Sequence, residues 1–210
     1  MNAPPQAEAT TDNTSGFPEV YYGRTSDGLF AALVGENAFA MIPAYNGGHY
    51  LGHAWKLPLP VSEWKQSSFY GHGGQLDGKA AFRARVEENA EHQRQLRRLA
   101  RRSIPARQAT PWGLSDHATH YAEGIVCHST PSHGGFHLDP DRNARIHPHL
   151  RSADGFYEED CCWAAVAQAF PDLFTDFEKR CAEETIRHWY PDAWPRSFTS
   201  TPRRLREAAS

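Results

Sequence analysis

The feature that most constrains this fold is a 25-residue run free of Gly and Pro, "KAAFRARVEENAEHQRQLRRLARRS", spanning Lys79 to Ser103. Chain breakers are common on both sides of it, so the run marks one long helix within a chain otherwise cut into short pieces. Phe82, Val86, Asn89, Gln93, Leu96 and Ala100 recur at steps of three and four. That spacing predicts a thin apolar seam over residues 78–103.

Before the run, "FPEVYYG", "LFAALV", "NAFAMIP" and "HYLGHAW" are aromatic or branched segments separated by Ser26-Asp27-Gly28, Gly35-Glu36-Asn37 and Asn46-Gly47-Gly48. They predict an antiparallel meander of three or four strands, with 57–78 as a connector. After the run, "YAEGIVCHST" and "GGFHL" predict a β-hairpin. Two helices should follow. One runs from Tyr157 to Phe170, with acids in its first turn. The other opens on a Thr175/Glu178 capping box and carries a Phe177, Cys181, Ile186, Trp189 stripe. The expected class is α+β: an N-terminal antiparallel meander, a long basic helix, then a β-hairpin followed by two helices. Residues 1–16 and 195–210 read as tails, and 17–194 as a single domain. Within it, a β subdomain (17–75) and a second core (110–194) are joined by the helix.

Composition narrows the class. At 40% hydrophobic and 22% charged, the chain has the make-up of a water-exposed globular protein. Its apolar stretches are too short to span a bilayer, so no membrane partner is expected. The start lacks the basic and apolar segments of an export signal. Cys127, Cys161, Cys162 and Cys181 contain no C-x-x-C pair. Reduced thiols and a cytoplasmic location are the expectation.

Seven of the twelve histidines fall between His117 and His149. If His128 faced Phe136 in the hairpin, both sheet faces would be mixed. If it faced His137, then Ile125, Cys127, Phe136 and Leu138 would share one face and His128, Thr130 and His137 the other. The second register segregates better and leaves a Pro131–Gly134 loop suited to a type I turn. It places His128, His133 and His137 as candidate zinc ligands, with Glu158, Glu159, Asp160 or Cys161 as a possible fourth. Three protein ligands would leave one position for water. A second chemistry takes Ser129 or Ser132 as nucleophile, with a histidine such as His133 as base and Asp139 or Asp160 as orienter. No G-x-S-x-G elbow accompanies it. Ser129, His133, Glu159 and Asp160 are therefore the catalytic candidates. Acids beside Cys161 disfavour a thiolate nucleophile there.

Nine cations and three anions lie between Lys79 and Arg107, a local +6 in a chain of net −3. Arg94, Arg97, Arg98, Arg101 and Arg102 sit within nine residues, enough to engage phosphates or an acidic protein surface.

"TPWG" at 110–113, "YAEGIVCHSTPSHGGFHL" at 121–138, "YEEDCCWA" at 157–164 and "CAEETIRHWYPDAW" at 181–194 resemble an uncharacterised domain family of bacterial proteins carried on plasmids and other mobile elements. The resemblance carries no residue roles. It implies an accessory protein, such as one that interferes with host defence. Three readings follow: binding through the arginine surface to an acidic protein or nucleic acid, a zinc-dependent hydrolase or nuclease at the histidines, or a purely structural hairpin.

Overall fold

The computed structural model describes residues 19–45, 47–58 and 60–193. Both tails and Asn46 lie outside the described residues. The class is mixed α+β, as expected. The chain divides into two compact units, residues up to Arg94 and residues from Gln95 on.

The first unit is a five-stranded antiparallel meander: β1 (Val20–Arg24), β2 (Phe30–Val34), β3 (Asn37–Pro43), β4 (His49–Trp55) and β5 (Gly71–Leu76). β2 and β3 are joined by Gly35-Glu36 between the paired Val34 and Asn37. Gly35 takes φ 56°, the left-handed first position of a two-residue hairpin turn. Every residue from Ala38 to Ile42 is buried, because both sheet faces are covered. Ala32, Val34, Phe39, Met41 and Leu51 pack against Phe82, Val86 and Ala90 of the helix α1 (Gly78–Arg98). Ala31, Ala38, Ala40, Ile42 and Ala54 pack against Val61, Trp64 and Phe69 of the connector. The connector also supplies the fifth strand, which the Gly-rich "GHGGQL" concealed.

The second unit is built on a second antiparallel sheet, in the order β12 (Phe156–Glu158), β11 (Gly134–Leu138), β10 (Ile125–Ser129), β9 (His117–Ala122), β6 (Arg102–Ile104). A small hairpin, β7 (Ala109–Thr110) with β8 (Gly113–Leu114), precedes β9. Ile125, Phe136, Leu138 and Tyr157 form the core with Ala164–Ala167 of α3 (Trp163–Ala169) and with Ala182 and Ile186 of α4 (Asp176–Trp189). The short α2 (Pro140–Ala144) is capped by Asp139, whose Oδ1 accepts the Arg142 amide at 2.7 Å.

Three expectations are corrected. The basic helix stops at Arg98 rather than Ser103, because Arg102–Ile104 pairs with β9 and Ile104 precedes Pro105, which disfavours helix there. Residues from Tyr157 do not begin a helix: Phe156–Glu158 hydrogen-bonds to β11 as an edge strand, and α3 starts only at Trp163. On α4 the capping box is present. Its buried face is Ala182 and Ile186, however, while Phe177 and Trp189 are exposed.

Candidate functional site

The hairpin adopts neither register weighed from the sequence. His128 pairs with Gly135, Val126 with His137, and Cys127 with Phe136. This is a two-residue slip from the His128–His137 pairing. A slip of two preserves faces, so Ile125, Cys127, Phe136 and Leu138 do turn together into the core. The opposite face carries one cross-strand row of Arg102, His120, Val126, His137 and Phe156, and a second of Ile104, Ala118, His128, Gly135 and Glu158. Four strands thus place His120, His128, His137 and Glu158 on one face. His120 was not among the sequence candidates; the missed signal was β9, hidden because the Glu123-Gly124 turn was read as strand.

His128 is only 1% exposed and its Nδ1 has no hydrogen-bond partner; Nδ1 of His120 is likewise buried and unpartnered. Burial pulls the His128 pKa below its ordinary value, and the neighbouring His137 pulls it further. Both effects disfavour the charged imidazolium. Gly135 is required beside it: a Cβ there would meet the Tyr157 carbonyl at 2.2 Å and Trp112 Cη2 at 2.6 Å, so the missing side chain makes room for the Trp112 ring.

The connecting loop is Thr130–His133. The Thr130 amide and hydroxyl both donate to the His133 carbonyl at 2.8 Å, and the His133 amide returns to Thr130 Oγ1 at 3.2 Å. This closure holds His133 at the mouth of the hairpin. On the edge strand, the Glu159 amide donates to the Gly134 carbonyl at 2.9 Å. The two acids are thereby carried to the same mouth. Donor atoms of His133, Glu158 and Glu159 all lie within 4.8 Å of one another. His133 Nδ1 stands 3.8 Å from Glu158 Oε1, an oxygen that is buried and has no hydrogen-bond partner. Glu158 Oε2 accepts the Asp160 amide at 2.8 Å. Two donors on one tetrahedral zinc sit roughly 3.4 Å apart, from bonds of about 2.0–2.1 Å. The His133–Glu158 pair at 3.8 Å is close to that spacing, and the set as a whole, within 4.8 Å, would draw in to hold an ion.

Of the three imidazoles expected to bind metal, His133 joins this set. Among the described residues, His128 and His137 do not. The acid pair, taken from sequence as helix first-turn residues, supplies the other donors. Ser129 projects to the core-side face with Ile125 and Cys127, away from His128 and His137. Asp139 is committed to capping α2, and Asp160 lies exposed beside Glu158. The Cys127 thiol is pushed up to about 11, by burial first and then by the Glu159 charge.

The arginines separate. Arg94 pairs with Glu91 at 2.9 Å. Arg101 makes a two-pronged contact with Glu178 at 2.6 and 2.8 Å, donates to the Leu173 carbonyl at 2.7 Å, and lies 4.1 Å over the Tyr121 ring. Arg97 and Arg98 are exposed on the last turn of α1, and Arg102 is exposed on β6. No helix among the described residues is long and apolar enough to cross a membrane.

No curated protein and no solved structure matches the chain. Residues 105–209, half of the chain, match the family described as domain of unknown function DUF7007. That span holds the hairpin, both acids and His133, and on it the chain belongs to the DUF7007 family.

Proposed function

We propose that the second unit binds a divalent cation at His133, Glu158 and Glu159 and uses it in hydrolysis. The observation that carries this reading is that donor atoms of His133, Glu158 and Glu159 lie within 4.8 Å of one another, beside a buried Glu158 Oε1 that no hydrogen bond satisfies. An orphaned buried carboxylate oxygen is costly unless something cationic meets it. One imidazole and two carboxylates suit zinc or manganese. Three protein donors would leave one coordination position, and the chemistry such an ion would supply there is activation of a water for hydrolysis. The His133 side chain is 55% exposed, so the site opens at the surface. The cavity of about 630 Å³ between α3 and α4 is lined by other residues, among them Gln168, Pro171 and Lys179. An open site of this kind fits an extended polymer better than an enclosed small molecule.

Elemental analysis of untagged protein and calorimetric titration with Zn(II) and Mn(II) test the reading. Binding of one cation per chain, lost in Glu158→Gln and in His133→Ala, supports it. Equal affinity in the variants sinks it.

A second reading rests on the exposure of Arg97, Arg98 and Arg102. The protein then acts by contact with nucleic acid or an acidic protein, as an accessory factor of a mobile element. Duplex binding that falls steeply with salt, and is lost in Arg97→Ala/Arg98→Ala, supports it. Salt-insensitive binding shifts the partner to protein.

A further inference from the structure

We infer that Cys161, Cys162 and Tyr190 form a chelating site for a soft, thiophilic divalent cation, separate from the His133–Glu158–Glu159 set. The two sulfurs lie 3.8 Å apart. The Tyr190 hydroxyl stands 3.3 Å from Cys162 Sγ and 3.5 Å from Cys161 Sγ. Two sulfurs bound to one tetrahedral ion at about 2.3 Å are about 3.8 Å apart, and a sulfur and an oxygen at about 2.3 and 2.0 Å are about 3.5 Å apart. The triangle on this protein is within about 0.2 Å of those dimensions.

Its three corners come from two places in the fold. The cysteines occupy the turn between β12 and α3, and Tyr190 is the C-cap of α4, its amide bonded to the Ile186 carbonyl at 2.8 Å. Core filling accounts for Cys162, which packs against the cluster around Ile125 and Tyr157. It does not account for Cys161, which lies outside that cluster, half-buried and turned toward the other two groups. A second thiol placed against the first is what a chelate needs. Soft thiolate donors select such ions over the hard cations that carboxylates prefer. Binding replaces two S–H bonds by two sulfur–metal bonds and releases two protons to solvent.

The test is titration of the full chain with Cd(II), followed by the ultraviolet thiolate-to-cadmium charge-transfer band. One ion per chain is expected. Cys161→Ser and Cys162→Ser should each lower the affinity by at least about tenfold, with unchanged circular dichroism. His133→Ala and Glu158→Gln should leave the band intact, so this site and the proposed hydrolytic site fail independently. In the unsubstituted protein, Cd(II) should protect Cys161 and Cys162 from alkylation and leave Cys127 and Cys181 unprotected, a readout that no misfolded variant can confuse. Absence of the band at equimolar Cd(II), its survival in Cys162→Ser, or protection of Cys127 or Cys181 instead would overturn the assignment.

Discussion

The Glu159 amide donates to the Gly134 carbonyl at 2.9 Å, and the Glu159 carboxylate lies 2.6 Å from where a Gly134 Cβ would be. The glycine thus lets the acid fold back over the hairpin mouth. Gly134→Ala should push the carboxylate aside and press on the His128 carbonyl, 2.9 Å from the same point. Zn(II) affinity measured by calorimetry should fall by about tenfold or more, while the circular dichroism spectrum is retained.

His128 should contribute to the pH dependence of the second unit's stability. Its folded pKa lies below the ordinary value of 6.5, because burial and then His137 penalise the charged ring. The unfolded chain therefore binds more protons in that window, and the stability from a neutral His128 is complete above about pH 6.5 and lost as pH falls through the folded pKa. Urea midpoints measured from pH 8 down to pH 5 should decline. His128→Gln, which cannot charge, should flatten that decline. An unchanged slope would remove His128 as its source.

Arg101 should prove structural. Its ion pair with Glu178 is largely shielded, the side chains being 14% and 20% exposed. Removing one partner from a buried pair costs about 3–5 kcal/mol; partial exposure lowers the expectation for Arg101→Ala to about 2–4 kcal/mol. Denaturant unfolding measures it. The Arg101→Ala/Glu178→Gln double variant should lose less than the sum of the singles. Additive losses would mean that the pair is not coupled.

Tyr157 is completely buried, and its hydroxyl donates to Asn143 Oδ1 and accepts the Ser152 amide. Tyr157→Phe leaves both groups without that partner and should destabilise by about 1–3 kcal/mol. Hydrogen exchange at the Ser152 amide should quicken as well.

Much of the chain was legible in one dimension. The Gly-Pro-free run predicted α1, the turn residues predicted the meander, and Thr175/Glu178 predicted the start of α4, because each depends on interactions a few residues apart. Strand alternation also announced which hairpin residues face the core. The register itself was not legible, since a two-residue slip leaves the alternation unchanged. That slip moved His128 from opposite His137 to opposite Gly135.

The candidate site was half legible. His133 and Glu159 were visible as residue types with suitable chemistry. Their convergence depends on Phe156–Glu158 pairing with β11, and "FYEED" alone fits a helix start as well as it fits an edge strand. The arginine run misled for a related reason. Arg101 and Glu178 lie 77 residues apart, so no local pattern shows that Arg101 is already paired.

The sequence by itself determined the long helix, the antiparallel meander, the α4 cap and the division of the hairpin into an apolar and a polar face, all consequences of short-range sterics and periodicity. Tertiary structure decided which polar groups meet: the acids at His133, the two thiols at Tyr190, and Arg101 at Glu178. Those meetings are set by strand pairing and core packing between distant segments, where many arrangements share the same local preferences and burial selects one.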